Sequence, residues 1–109
     1  MPPLAYTVRA TIPDGPTADR FVAWLEGGHL AGVLSGGADR AEVLRQDPEP
    51  GASSFIVEVR YRFPSRTVFE TYERDFAPAL RAEGIELFGP DSGIVMERSI
   101  GAIIAATPA

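Results

Sequence analysis

Alternating apolar and polar residues mark two segments of this chain as strands. Between Leu4 and Ile12 every second side chain is apolar, and residues 54–63 repeat this alternation more regularly. A period of two is typical of a half-buried strand. A weaker alternation over residues 38–46 and 93–104 predicts two further strands. Each strand is expected to turn one face to a core.

Two stretches with apolar residues at helical spacing lie between these strands. The first covers residues 17–34, where Pro16 suits the first helical turn and Gly27-Gly28 weakens the helix at mid-length. The second begins at Pro64-Ser65 with Ser65 as the expected N-cap, and Pro78 predicts a kink or a restart within it. Its apolar stripe, interpreted as core packing, consists of Phe69, Tyr72, Phe76 and Leu80.

The predicted order of elements is β-α-β-β-α-β. Because crossover connections are right-handed, such a chain folds as an α+β, ferredoxin-like domain. We expect a four-stranded antiparallel sheet in the order 4-1-3-2, with both helices on one face. All 109 residues form one predicted domain, with an ordered core from about residue 4 to 104.

The sheet face without helices predicts a homodimer. Ile56 and Val95 are poorly suited to water there, and a partner sheet would cover them in the manner of a dimeric α/β barrel. Charged residues at the centre of this face are expected to pair across the interface: Arg9, Glu58, Arg60, Arg62 and Glu97. The alternative is that the arginines hold an anionic ligand which the two glutamates orient.

Composition and charge exclude several chemistries. The 109 residues include no cysteine, no lysine and one histidine, which excludes disulfides, thiolate chemistry, Schiff-base catalysis and a two-histidine metal site within one chain. A net charge of −5 makes nucleic acid and anionic membranes poor partners. No signal peptide or membrane-spanning run is evident, so the expected location is the cytoplasm. We expect no metal and no cofactor.

Short motifs along nearly the whole chain carry a family resemblance. They are Tyr6-Thr7-Val8, Trp24-Leu25, Gly28-His29-Leu30, Val33-Leu34, Ala77-Pro78-Ala79-Leu80-Arg81 and Phe88-Gly89. Together they resemble a family of uncharacterised short bacterial proteins in the dimeric α/β-barrel group, domain of unknown function 4286. The resemblance implies the fold and assigns no activity. Members often carry a histidine just before the Ala-Pro motif, where this chain has Asp75-Phe76.

The dimeric α/β-barrel group, in which this family is placed, has diverse functions. It includes cofactor-free monooxygenases, small isomerases and cyclases, haem proteins and ligand-sensing modules. Because one fold hosts many unrelated functions, the group does not choose among them.

His29 is the candidate catalytic residue. Helical spacing places it on the face toward the sheet, with no side chain at Gly28 or Gly32 to fill the space beside it. A ligand pocket there would be walled by Tyr6, Trp24, Tyr61 and Tyr72, and His29 would act in it as a general base. The alternative is that the glycines allow close packing and His29 makes one structural hydrogen bond.

Three functional hypotheses follow from these residues. The first is a dimeric module, structural or binding a small molecule, without catalysis. The second is a cofactor-free enzyme, similar to a monooxygenase or an isomerase, that acts on a small aromatic or polyketide-like compound with His29 as base and Tyr72 or Trp24 positioning the substrate. The third is a purely structural homodimer with no pocket.

Overall fold

The predicted strand and helix order is present in the computed structural model, which describes residues 2–108. The elements are β1 (Leu4–Ile12), α1 (Gly15–Trp24), a π-helical turn (Leu25–His29), α2 (Leu30–Ser35), β2 (Arg40–Arg45), β3 (Phe55–Phe63), α3 (Arg66–Asp75), α4 (Ala77–Phe88), a short 3-10 turn (Pro90–Ser92) and β4 (Val95–Ala102). The sheet order is β2-β3-β1-β4 with antiparallel neighbours. This confirms the ferredoxin-like fold and the predicted strand order.

The register of the sheet separates a core face from an open face. Tyr6 of β1 lies opposite Tyr61 of β3 on one side and Ile100 of β4 on the other. Alternate side chains of β1 and β3 are buried beneath the helices, and the largest fully buried ones include Leu4, Ile12, Val57 and Phe63. The strict alternation read from the sequence therefore gives the core face correctly.

The first helical stretch is two helices rather than one. Asp14 caps α1, because its carboxylate accepts a hydrogen bond of 2.7 Å from the Thr17 backbone N–H, so the helix begins at Gly15 rather than at residue 17. At the weakened double glycine, the Leu30 N–H bonds to the Leu25 carbonyl and closes a π-helical turn. Within this turn Gly28 has φ +144°, a backbone conformation that lies outside the regular helix and favours glycine.

The second helical stretch also divides, at the predicted proline. The Ser65 hydroxyl accepts a hydrogen bond of 3.2 Å from the Val68 N–H, which confirms the expected N-cap. Helix α3 ends at Asp75, and α4 restarts at Ala77 with Pro78 in its first turn. The restart turns Phe76 outward to 39% exposure, so its assignment to the core stripe was wrong.

Strands β2 and β4 are shorter than predicted. The Asp39 and Gln46 N–H groups still bond to carbonyls of β3, so regular pairing frays at both ends of β2. Before β4, the Ser92 hydroxyl accepts a hydrogen bond of 3.2 Å from the Ile94 N–H and holds a turn, so the strand begins at Val95. No helix within residues 2–108 is long and apolar enough to cross a membrane.

Candidate functional site

A cavity of about 380 Å³ lies between the core face of the sheet and helices α1 and α4. Five residues expected at a pocket line it: Tyr6, Trp24, His29, Tyr61 and Tyr72. Most of the remaining lining is apolar, with Phe21 and Phe88 from the helices and Met96 from β4. The fold thus brings the three tyrosines of the chain, its tryptophan and its histidine to one space.

The two glycines expected to open the pocket lie outside its lining. A Cβ on Gly28 would meet nothing within 4 Å, so this residue shapes the π-helical turn rather than a cavity wall. A Cβ on Gly32 would come within 2.8 Å of Leu80 Cδ2. Gly32 therefore allows α2 to approach α4 closely, and the cavity lies beside this contact.

The His29 imidazole stacks on the Trp24 indole. Their ring centroids are 4.1 Å apart and their planes are inclined by 27°. The Trp24 Nε1–H donates a hydrogen bond of 3.2 Å to Glu83 on α4, which fixes the indole against that helix. The stack depends on the π-helical turn, because the turn shifts His29 from the position that a regular helix would give it.

The His29 ring carries an unsatisfied nitrogen. Nδ1 is buried and has no hydrogen-bond partner among residues 2–108. Burial lowers the pKa of His29 below its ordinary value, and the nearby Glu83 carboxylate offsets part of that effect. His29 is therefore a neutral imidazole at pH 7, and its buried Nδ1 is not accessible to a molecule in the cavity unless neighbouring side chains move.

Two arginines that the sequence reasoning missed also line the cavity. Arg98 Nε donates to the Tyr6 hydroxyl oxygen at 3.1 Å, and Arg81 Nη2 approaches the same oxygen at 3.4 Å. Arg81 is paired with Glu73 at 2.6 Å. The sequence held a signal for both, because Gly84 and Phe88 follow Arg81 at helical spacing and Arg98 alternates with Met96 along the last strand.

Burial keeps the other two cavity tyrosines protonated. It raises the pKa of Tyr72 to about 12, with the neighbouring Tyr6 hydroxyl adding to the effect. Burial likewise raises the pKa of Tyr61 well above its ordinary value. Both side chains are hydroxyl donors at neutral pH, and neither is a candidate base.

The residues of the expected dimer face lie together on the open side of the sheet. Arg9 stands opposite Glu58 on β3 and Glu97 on β4 in the register, and its guanidinium lies 3.6 Å from Glu58. Arg60 also contacts Glu58, at 3.7 Å, and Arg62 bonds to Asp39. Four of these five charged residues already pair within one chain, whereas Glu97 forms no ion pair within residues 2–108. Leu44 has the register of this face as well, opposite Glu58, and is exposed.

Metal ligands are not clustered in the described part of the chain. Within residues 2–108, no group of three or more histidine, cysteine, aspartate or glutamate side chains is arranged to hold a metal ion.

Comparison with solved structures shows the fold of the chain. A dimeric ferredoxin-like protein from an uncultured marine organism is 15% identical, with a TM-score of 0.68 over 98% of this chain and 100% of its own. SnoaB, a cofactor-independent oxygenase from Streptomyces nogalater, is 16% identical, with a TM-score of 0.59 over the whole of both chains. The structural neighbours thus include both dimeric ferredoxin-like proteins and cofactor-independent oxygenases.

A third neighbour was solved with a ligand. It is a monooxygenase from Streptomyces coelicolor in complex with nanaomycin D, 15% identical, with a TM-score of 0.62 over 97% of this chain and 93% of its own. Neither a family model nor a curated protein sequence matches the chain. At these identities the comparisons establish the ferredoxin-like fold.

Proposed function

We propose that this protein binds a small, mainly apolar aromatic molecule in the cavity between its sheet and helices. The observation that carries the proposal is the cavity itself: about 380 Å³, lined by aromatic and aliphatic side chains with a few converging polar groups. Binding sites for small molecules have this size and this mixture of surfaces. His29 supports it, because its ring lines the cavity beside Trp24 and adds a polar group to the aromatic lining.

The structural neighbours support the same proposal by analogy of fold. The Streptomyces coelicolor neighbour is described with nanaomycin D bound. An aromatic or polyketide-like ligand suits the present cavity for a physical reason, since aromatic rings pack well against Trp24, Phe21 and Phe88.

A second candidate function is catalysis without a cofactor, in the manner of a monooxygenase or an isomerase. The specific observation in its favour is the neutral, half-buried His29 beside the cavity, which is in the right protonation state to accept a proton. Trp24 would hold the substrate ring in place, and Tyr72 would donate a hydrogen bond to it. SnoaB, a neighbour in fold, is a cofactor-independent oxygenase.

A homodimer built through the open sheet face completes the proposal. Its support is the set of exposed apolar side chains on that face, Leu44 and Val95, together with the paired charges around Arg9 and Glu58. The cytoplasmic location and the absence of a nucleic-acid or membrane partner stay predictions of the sequence.

The binding proposal is tested by thermal unfolding in the presence of a set of aromatic compounds. We expect at least one naphthalene- or anthraquinone-sized compound to raise the Tm of the wild type, since a ligand at about 100 times its Kd stabilises a protein by about 2.7 kcal/mol. Met96→Trp, which fills the cavity, should lose the shift. Glu26→Ala, an exposed change on the π-helical turn, should keep it. Equal shifts in all three proteins would contradict binding in the cavity.

His29→Ala separates binding from catalysis. If His29 is a base, its loss should abolish turnover of a bound compound while the compound still raises Tm. If it only contacts the ligand, its loss should reduce the Tm shift and no turnover should be found with the wild type.

A further inference from the structure

The cavity carries one positive charge that the described chain does not balance. Two arginines line it, Arg81 and Arg98. The Glu73 carboxylate lies 2.6 Å from Arg81 and neutralises it. In residues 2–108, no carboxylate comes within 4.0 Å of the Arg98 guanidinium, which contacts the Tyr6 hydroxyl. Arg98 is an exposed residue, and it adds a cation without a carboxylate partner to the lining of a largely apolar space.

The Tyr6 hydroxyl is arranged as a donor. Its oxygen receives N–H groups from Arg98 at 3.1 Å and from Arg81 at 3.4 Å, which occupy its acceptor positions. Its own proton remains available, because no protein acceptor lies within hydrogen-bonding distance in the part of the chain described. Tyr6 and Arg98 together offer several donors and no acceptor.

Two neighbouring tyrosines add further hydroxyl donors near Tyr6. The Tyr61 and Tyr72 rings lie 5.8 and 6.3 Å from the Tyr6 ring, measured between centroids, and both hydroxyls stay protonated at neutral pH. Hydrogen bonds from a guanidinium to an ionised oxygen are about twice as strong as those between neutral groups. Because Arg98 is an exposed residue, water screens part of that attraction.

We propose that the ligand carries an anionic oxygen on its apolar body, and that Arg98 and the Tyr6 hydroxyl bind that oxygen. This rests on the proposed binding function and narrows it to aromatic acids, whose oxygen is either a carboxylate or an ionised phenol or enol. A purely structural role for Arg98, tying β4 to Tyr6, is the competing explanation, and it predicts no preference between charged and neutral ligands.

The test compares 2-naphthoate with methyl 2-naphthoate, which has the same ring and no charge. Calorimetric titration of the wild type should show the acid binding about tenfold more tightly than the ester. Arg98→Gln should remove that preference while leaving ester binding within about twofold. Arg66→Gln is the matched control, since Arg66 is exposed on α3 and lies outside the cavity lining. It should bind both probes as the wild type does.

A second variant tests the same subsite independently, in case Arg98→Gln does not fold. Tyr6→Phe keeps the ring and removes only the hydroxyl, so it should reduce the preference for the acid several-fold with little effect on the ester. Wild-type binding of the ester as tightly as the acid would overturn the anionic subsite and leave cavity binding intact. Binding of neither probe by the wild type would overturn the proposed function, and the subsite with it.

2-Naphthol separates the two sources of the anionic oxygen. If the subsite is made for an ionised phenol or enol, the wild type should bind naphthol in its ionised form, seen as a red shift of its absorption at a pH where free naphthol is neutral. Arg98→Gln should abolish this shift. A clear preference for naphthoate with no shift of naphthol assigns the subsite to carboxylates.

Discussion

The chemistry of His29 depends on the burial of its ring and on its contact with Trp24. Its ring stacks on Trp24 at 4.1 Å, and its Nδ1 is buried without a partner in the described chain. A buried, unsatisfied polar atom costs free energy, so Nδ1 lowers the stability of the fold unless neighbouring side chains move to expose it. The same burial lowers the pKa of the imidazole, which keeps the ring neutral at pH 7 and makes it a weaker base than a free imidazole.

The lowered pKa of His29 predicts a pH-dependent contribution to stability. The unfolded chain takes up a proton at about pH 6.5, whereas the folded chain does so only at a lower pH. His29 therefore destabilises the fold progressively as the pH falls through 6.5 toward its folded pKa. We expect the free energy of unfolding of the wild type, relative to His29→Gln, to decrease between about pH 7.5 and pH 5.5. Urea unfolding at the two pH values measures this difference.

The single histidine of the chain allows a direct control. Its ring-proton NMR signal should titrate with a midpoint below 6.5 in the folded protein. A midpoint at or above that value, or a stability difference independent of pH, would contradict the burial of the ring.

At the scale of elements, the π-helical turn between α1 and α2 sets the position of His29. Gly28 has φ +144° in this turn, whereas its neighbour Gly27 does not have a positive φ. A Cβ at either glycine would meet nothing within 4 Å, so the two positions differ in backbone conformation and not in packing space. The two glycines therefore form an internal control for backbone strain.

Alanine at these two positions should have opposite effects. Gly28→Ala should lower the free energy of unfolding by about 2 kcal/mol, because an L-residue is strained at this φ. Gly27→Ala should be neutral or stabilising by up to about 1 kcal/mol, through the greater helix propensity of alanine. Chemical denaturation of both variants checks the prediction. Equal losses would indicate that the turn is not held in this conformation.

Most of the element pattern followed from local signals, and so did five of the cavity residues, whereas the contacts that hold the cavity side chains in place did not. The helix start at Ser65, the restart at Pro78 and the break at the double glycine each follow from backbone properties of those residues, which the sequence shows directly. The contact between Trp24 and Glu83 joins residues 59 positions apart, and no local pattern predicts it. Arg98 was missed for a different reason. The placement of Val95 and Glu97 on the open face already puts Arg98 on the helix-facing side, but its contact with Tyr6 joins residues 92 positions apart.

At the scale of the whole molecule, the sheet has one face covered by helices and one face open. The open face combines ion pairs such as Arg9 with Glu58 and exposed apolar side chains such as Val95, which is 60% exposed. Ion pairs on an exposed sheet contribute little to stability, so their value lies in setting the partner and the register. This combination supports a second copy of the chain as the partner.

Val95→Asp should weaken the proposed homodimer, because it places an unpaired charge in the interface. The wild type should show twice the chain mass by light scattering at high micromolar concentration, and the variant should move toward the mass of one chain. Leu87→Asp, at a position 57% exposed on α4, should leave the mass unchanged. A monomeric wild type at that concentration would refute the dimer.

Locating a bound aromatic ligand by NMR is the most direct test of binding between the sheet and the helices. With 2-naphthoate bound, we expect intermolecular nuclear Overhauser effects from the naphthalene ring to the Met96 methyl group and to the ring of Trp24, both of which line the cavity. Contacts confined to residues outside the cavity, or none at millimolar ligand, would contradict the claim that the space between sheet and helices is a binding site.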